Sequence, residues 1–229
     1  FTDLNIKYGP CKRVPILMYH HILPDDLARV IGAAKLSVTP EIFRQQMDYL
    51  IGKGYTIIGL DEVIDKINTN SLPAKPVVLT FDDGYRDFYD YVYPVLKEKN
   101  IKGTVFVISQ YTGGERYLVW AQVKEMVDSG LVTAGDHTLN HPALPKLNKE
   151  EEVNQIVSAK NVIEQNTGRP VKFFAYPYGS SNQNAKDILK ENGFLGAVTT
   201  VSGRTQCAGL PYDMQRIRIG VGPLAKYGL

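Results

Sequence analysis

The sequence lacks the features that define several protein classes. Its longest apolar runs, such as Ile16-Leu17-Met18-Tyr19, are far shorter than the roughly 18 residues of a membrane-spanning helix. An excess of charge of one sign is also missing: 26 Lys and Arg against 24 Asp and Glu leave a net charge of +2. Such a balance predicts no nucleic-acid partner and no polybasic membrane patch. With 20 Gly and 13 Pro in 229 residues, the chain is neither collagen-like nor of low complexity.

Cysteine is scarce as well. Cys11 and Cys207 are the only two, which excludes a disulfide framework and a four-cysteine zinc site. They lie near opposite ends of the chain, so a single bridge tying the termini together and two unpaired thiols are both open interpretations. The chain begins at Phe1 without a methionine, and we therefore expect a processed product from which a signal peptide or lipid anchor was removed.

Short apolar strand candidates alternate with helical segments along the chain. The strand candidates are Val14–Tyr19, Tyr55–Ile58, Val77–Phe81, Gly103–Ile108, Leu131–Ala134, Val171–Ala175, Gly196–Thr199 and Gln215–Ile219. Caps mark the helices between them: Thr39-Pro40 predicts one start and Asn148 with Glu151 another, and Gly168 predicts an end. This alternation predicts an α/β fold with a parallel sheet in a single domain, and its chemistry at the carboxyl ends of the strands.

The segment Thr80-Phe81-Asp82-Asp83-Gly84 follows the apolar run Val77–Leu79. Two adjacent carboxylates at a strand end repel each other unless a metal or a proton resolves the conflict. Their side chains diverge, so Asp82 and Asp83 can serve different partners. An ordinary Asp-Asp-Gly turn is the alternative.

The segment His137-Thr138-Leu139-Asn140-His141 carries two of the four histidines. At positions i and i+4 on one helical turn, both rings can reach a single ion. Two histidine nitrogens and one carboxylate oxygen form a catalytic zinc set with open positions, and a second carboxylate can then act as general base. The two segments together predict metal-assisted hydrolysis, whereas separately each fits an ordinary polar loop.

Two further segments end strand candidates. His20 and His21 follow Leu17-Met18-Tyr19, and either histidine can supply a general acid near neutral pH. The segment Phe174–Gly179 contains Tyr176-Pro177-Tyr178, and the backbone N–H of Tyr178 is a candidate donor to a developing oxyanion.

In this order, the segments resemble the polysaccharide deacetylase family, carbohydrate esterase family 4, which shares the NodB homology domain. Thr80–Gly84 matches the family's first motif, TFDDG, and His137–His141 matches its second, H-[ST]-x-x-H. The third motif resembles Phe174–Gly179, and the likeness extends from His20 to about Ile219.

The resemblance implies a distorted (β/α)7 barrel over residues 1–229, with residues 1–13 as an N-terminal extension, and hydrolysis of N-acetyl groups from a glycan. It implies that Asp83, His137 and His141 hold the metal, which is zinc or, less commonly, cobalt or nickel. Asp82 is then the base. Thr138 supports the local loop, and Tyr178 binds the oxyanion through its N–H.

Departures from the family pattern concern three motifs. Ala175 stands where an arginine usually orients the base, the Asp-x-x-Asp/Asn-Trp motif is absent, and no histidine follows Arg216 and Arg218. The segment Leu17–His20 resembles the Met-Tyr-His segment of exported poly-β-1,6-N-acetylglucosamine deacetylases, in which an N-terminal histidine acts as the acid. This implies His20 as general acid, with His21 second. Such an arrangement brings the first and last strands together and favours a Cys11–Cys207 bridge, and either arginine could then replace the missing one.

The expected substrate is an N-acetylglucosamine polymer outside the cytoplasm, either exopolysaccharide, peptidoglycan or chito-oligomers. The alternatives are an O-acetyl esterase acting on a xylan-like glycan and a catalytically silent glycan-binding domain. The second is less favoured because every ligand, a base and an acid are present. We expect an extracellular or cell-envelope location and no other cofactor, and the sequence leaves the oligomeric state open.

Overall fold

Seven parallel strands close into a barrel in the computed structural model, which describes residues 2–229. In chain order the strands are β1 (Cys11–Arg13), β2 (Ile16–Tyr19), β3 (His21–Ile22), β4 (Ser37–Val38), β5 (Thr56–Ile57), β6 (Pro76–Phe81), β7 (Gly103–Val107), β8 (Val132–Asp136), β9 (Phe173–Ala175), β10 (Gly196–Ser202), β11 (Thr205–Cys207) and β12 (Met214–Arg218). The barrel order is β2-β12-β10-β9-β8-β7-β6, and β6 pairs with β2 again to close it. The predicted single-domain (β/α)7 barrel is confirmed. Phe1, on which the expected N-terminal processing rests, lies outside the described residues.

Helices cover the outside of the barrel. They are α1 (Thr2–Tyr8), α2 (Asp25–Val30), α3 (Pro40–Gly52), α4 (Leu60–Ile67), α5 (Tyr93–Lys99), α6 (Trp120–Asp128), α7 (Lys149–Val153), α8 (Ala159–Thr167) and α9 (Gln183–Glu191). A π-helical turn, Asn154–Ser158, joins α7 to α8. Across residues 2–229, no helix combines the length and the apolar character needed to cross a membrane.

The predicted helix caps are present. Thr39 Oγ1 accepts a hydrogen bond from Ile42 N at 3.3 Å. Asn148 and Glu151 bond each other's backbone N–H groups reciprocally, at 2.9 and 3.0 Å. Gly168 ends α8 with a φ of 70°, which glycine adopts without a Cβ clash. The helix ends could be predicted from these residues because each one helps to satisfy backbone groups that a helix terminus leaves unpaired.

The barrel interior changes from apolar to polar along its axis. Successive side chains of a strand point to opposite faces, so residues two apart share a face. Val78 belongs to an apolar cluster inside the barrel, here called the inner apolar cluster, which includes Ile16, Phe106, Phe173, Val198 and Met214. Thr80, two residues after Val78 on the same strand, lies one layer higher. On β12, Met214 belongs to the same inner cluster and Arg216 lies above it. The polar layer therefore lies at the carboxyl ends of the strands.

A two-stranded ribbon ties the N-terminal segment to the barrel. β1 pairs antiparallel with β11, with Cys11 opposite Cys207, and the two cysteines form a disulfide. Of the two open interpretations of the cysteines, the bridge is the one present. The sequence of Pro24–Leu36 shows no clear periodicity, yet the segment contains a short helix, α2, and a 3-10 turn, Ala34–Leu36.

Candidate active site

Asp82 lies at the end of β6, where Arg216 of β12 holds both of its oxygens. The two carboxylate oxygens accept hydrogen bonds from Arg216 at 2.7 Å each. The same guanidinium also donates to Thr199 O at 2.8 Å and to Thr80 Oγ1 at 3.2 Å. Burial by itself would raise the pKa of Asp82, but the charge and hydrogen bonds of Arg216 outweigh it and hold the pKa below the usual value. Of the two arginines considered as replacements for the missing motif arginine, Arg216 contacts the aspartate.

A sharp turn after β6 separates Asp83 from Asp82. Asp83 and Gly84 have φ values of 75° and 71°. A Cβ on Gly84 would lie 3.3 Å from Val107 Cα, so the turn packs closely against β7. The Asp-Asp-Gly segment is thus both a turn and a site: the turn sends the two carboxylates to different partners.

Asp83 lies beside both histidines of the second motif. Asp83 Oδ1 is 3.3 Å from His137 Nε2 and 3.6 Å from His141 Nε2, and the two nitrogens are 3.2 Å apart. Ligand bonds of about 2.0–2.1 Å to a tetrahedral ion place the ligand atoms about 3.3 Å from one another. The three donor atoms therefore already form one face of a tetrahedral site and leave the opposite side open.

The two histidines belong to a loop and not to the helical turn that the i, i+4 spacing predicted. His137 follows β8 directly, and Thr138 and His141 have positive φ values of 70° and 65°. Thr138 N donates to Asp136 Oδ1 at 2.7 Å, and Thr138 Oγ1 accepts from His141 N at 2.9 Å. The helical rationale was wrong, and a tight loop held by Thr138 brings the two rings together instead.

The hydrogen bond of His137 and the lowered pKa of His141 suit metal binding. His137 Nδ1 lies 2.7 Å from Ala175 O and must donate to it, which leaves the lone pair of a neutral ring on Nε2. Burial favours the neutral ring of His137, but the neighbouring Asp83 carboxylate raises its pKa. Burial and the adjacent His137 lower the pKa of His141 to about 4. Ala175, at the position of the missing arginine, contributes its carbonyl group to the site.

The two N-terminal histidines have different surroundings. His20 lines the same cavity as Asp82, Asp83 and the histidine pair. Burial lowers the pKa of His20, while Asp82 and Asp83 act in the opposite direction. His21 is 5% exposed and faces away from that cavity, and its Nδ1 lies 2.6 Å from Asp87 Oδ2. Of these two histidines, His20 lines the cavity and His21 does not.

Tyr178 stands in a left-handed conformation at the rim of the site. Its φ is 60°, the residue is 67% exposed, and its ring packs against the His141 ring at a centroid distance of 4.6 Å. The neighbouring amides of Gly179 and Ser180 donate to Tyr176 O and Pro177 O. Among residues 2–229, the Tyr178 N–H has no acceptor and remains free for a ligand.

One cavity of about 600 Å³ is lined by most of these side chains: His20, Asp82, Asp83, His137, His141 and Tyr178. Besides the residues named above, its lining includes Tyr85 and Arg218. The motifs did not single out Tyr85, whose ring stacks on His21 at a centroid distance of 3.6 Å. Its position directly after the TFDDG segment is the signal that could have found it. Asp136 was also missed: it is fully buried, burial raises its pKa well above the usual value, and it anchors the Thr138 turn.

A parallel barrel with two histidines, one aspartate and a second, buried aspartate bonded to an arginine at its carboxyl edge is the architecture of a metal-dependent hydrolase. A family model described as polysaccharide deacetylase matches residues 69–197. The chain belongs to the polysaccharide deacetylase family, whose members use a divalent metal, and it is an amide-hydrolysing enzyme.

Individual relatives agree with this assignment. The Streptococcus pyogenes deacetylase PplD, solved in complex with acetate, is 34% identical with a TM-score of 0.83, covering 91% of this chain and 92% of that one. BC0361, a polysaccharide deacetylase from Bacillus cereus, is 29% identical with a TM-score of 0.84, covering 95% of this chain and 68% of that one. The poly-β-1,6-N-acetyl-D-glucosamine N-deacetylase of Staphylococcus epidermidis is 29% identical over 77% of this chain and 68% of its own length.

Proposed function

We propose that this enzyme removes N-acetyl groups from an N-acetylglucosamine-containing polysaccharide outside the cell. The observation that supports this most directly is that Asp82, His20 and the Asp83–His137–His141 face line a single cavity, with Arg216 bonded to Asp82 behind it. The name of the Staphylococcus epidermidis relative supports the substrate class, and the acetate bound to PplD corresponds to the expected product. The Cys11–Cys207 disulfide supports the location, because such bonds persist in oxidising compartments.

Zinc is the ion proposed for Asp83, His137 and His141, with cobalt or nickel as substitutes. Two imidazole nitrogens and one carboxylate oxygen at tetrahedral spacing are a zinc donor set with an open position. When bound, the ion supplies Lewis acidity toward water and toward the acetyl carbonyl group.

Three groups of the chain itself perform the proton transfers and bind the developing charge. Asp82 is ionised and fixed by Arg216, and it takes a proton from the attacking water. His20 gives a proton to the departing nitrogen, which is a poor leaving group without it. The free N–H of Tyr178 donates to the oxygen that becomes negatively charged.

Acetate release tests the proposal. The substrates are N-acetylglucosamine oligomers of two to six units and, in parallel, O-acetylated xylo-oligomers, each with added zinc and with chelator. We expect zinc-dependent release from the amide substrates, lost in Asp82→Asn and retained in Asp90→Asn, which neutralises an exposed carboxylate. Release from the xylo-oligomers alone would replace the N-deacetylase with an O-acetyl esterase. Zinc bound at stoichiometry with no release from either substrate would point to a silent binding domain.

A further inference from the structure

Arg218 lies at the mouth of the cavity, on the same inward face of β12 as Met214 and Arg216. Met214 lies in the inner apolar cluster, Arg216 bonds Asp82 one layer higher, and Arg218 is two residues further on. Alternate residues of a strand share a face and lie roughly 6.6 Å apart along it. Arg218 also stands opposite Met18 of β2, and both line the cavity together with His20. The side chain therefore belongs to the active-site opening.

Arg218 is exposed, and among residues 2–229 its positive charge has no partner. Over residues 2–229, its guanidinium donates no hydrogen bond and no carboxylate lies within 4.0 Å of it. By contrast, Arg216 donates to two carboxylate oxygens, a carbonyl and a hydroxyl. The two carboxylates of the cavity are committed elsewhere, Asp82 to Arg216 and Asp83 to the histidine pair.

The opening thus offers a bidentate cation next to the group that handles the leaving nitrogen. Arg218 lies close enough to His20 for its charge to oppose protonation of that ring. A planar guanidinium matches the paired oxygens of a carboxylate or a phosphate, and charge-assisted bonds of this kind are about twice as strong as neutral ones. A neutral sugar hydroxyl offers this solvent-exposed guanidinium a hydrogen bond but no opposite charge.

We propose that Arg218 binds an anionic group, a carboxylate or a phosphate, on the sugar next to the acetylated one. The substrate class is then an N-acetylated glycan that carries negative charge along its chain. This inference rests on the proposed deacetylase function and selects among its substrates. A muramic-acid-type carboxylate and a phosphate-bearing glycan are the two sources of that charge.

Three matched substrates test the inference: a neutral N-acetylglucosamine tetramer, a tetramer alternating N-acetylglucosamine with N-acetylmuramic acid, and an N-acetylglucosamine oligomer bearing a phosphate. The quantity measured is the ratio of kcat/KM for each anionic substrate to that for the neutral one. We expect a ratio of about ten or more for at least one of them. It should fall toward one in Arg218→Gln and be kept in part by Arg218→Lys. Arg44→Gln, which removes a surface charge from α3, should leave the ratio unchanged.

Salt dependence keeps the test decisive if Arg218→Gln fails to fold. In the wild-type enzyme, raising the ionic strength from 0.05 to 0.5 M should reduce the anionic-to-neutral ratio, because salt screens an exposed charge pair. A wild-type ratio at or below one, or an equal loss on all substrates in Arg218→Gln, overturns the inference. Which anionic substrate shows the preference identifies the source of the charge. Absence of acetate from all three substrates would instead refute the proposed function.

Discussion

At the scale of single residues, the most consequential contact is the buried pair of Asp82 and Arg216. Both are almost fully buried, at 4% and 1% exposure, and an unpaired buried charge is strongly unfavourable. Arg216 therefore has two effects: it lowers the pKa of Asp82 and it fixes both carboxylate oxygens. We propose that this arginine on the last strand takes the orienting role that the family pattern gives to a residue of the third motif.

Replacing Arg216 should move the pH profile of the reaction in a defined direction. In Arg216→Lys the bidentate contact is lost, so burial dominates and the pKa of Asp82 rises. A base acts only when deprotonated, and the acid limb of kcat/KM should therefore shift to higher pH, with a loss in kcat on the order of 10²-fold. Bound zinc, measured by elemental analysis, should stay at wild-type stoichiometry. An unshifted acid limb in a folded, zinc-loaded variant would exclude this role for Arg216.

The two adjacent histidines provide an internal comparison for the general acid. His20→Ala should reduce acetate release from N-acetylated oligomers by about 10²–10⁴-fold, the usual contribution of general acid catalysis. Hydrolysis of 4-nitrophenyl acetate should fall much less, because nitrophenolate departs without a proton. His21 pairs with Asp87 outside the cavity, so His21→Ala should not produce this difference between amide and ester. A loss below tenfold on the amide would eliminate His20 as the acid.

At the scale of secondary-structure elements, the sequence predicted what local chemistry determines. The caps at Thr39 and Asn148 and the strand before Asp82 followed from short-range patterns. The ribbon of β1 and β11 was not predicted, since its partners are separated by 196 residues. The conformation of His137–His141 was also mispredicted, because the i, i+4 spacing fits a helix and equally a tight loop with positive φ at Thr138.

Which arginine reaches Asp82 could not be decided from the sequence either. Arg216 and Arg218 differ only in height along β12, and their layer depends on the register between β12 and its neighbours. Register is a tertiary property, since it is set by packing on both faces of the closed sheet. The residues of the site could therefore be predicted from the sequence, whereas the depth of each one in the barrel could not.

Glu62 on α4 makes a testable contribution to stability that depends on pH. Burial alone would raise its pKa, but hydrogen bonds from Lys102 and Lys66 and from Gly59 N lower it to about 2, below the ordinary 4.5. A depressed carboxyl pKa stabilises the fold above the unfolded-state pKa, and this stabilisation is lost as the pH falls toward 2. Urea unfolding should show Glu62→Gln less stable than wild type at pH 6 and close to it at pH 2.

A matched substitution distinguishes this local effect from a general loss of charge. Glu191 is an exposed residue of α9 without an ion pair in the described part of the chain. Glu191→Gln should leave the difference from wild type small at both pH values. A Glu62→Gln deficit that is equally large at pH 6 and pH 2 would contradict the ion-pair explanation.

At the scale of the whole molecule, the disulfide and the barrel closure act on the same pair of chain ends. β2 lies between β12 and β6, so the first and last barrel strands are neighbours, and Cys11–Cys207 links the segments beside them. Cross-linking a loop of this length stabilises by at most about 5 kcal/mol in the chain-entropy model. We expect the Cys11→Ser, Cys207→Ser variant to lose about 2–5 kcal/mol of unfolding free energy. Its zinc stoichiometry should be unchanged, and a stability equal to wild type would show that strand pairing alone holds the ends.

Metal binding should stabilise the entire barrel, because its ligands come from loops after two different strands. Asp83 follows β6 and both histidines follow β8, so an ion held by all three is bound only by the folded chain. A free zinc concentration a thousandfold above Kd adds about 4 kcal/mol of stability by mass action. For a chain of this length that amounts to about 10 °C in Tm, which chelator should remove. His141→Ala should unfold at a temperature that responds little to either treatment. A wild-type Tm that is equally insensitive would show that these three donor atoms do not form a metal site.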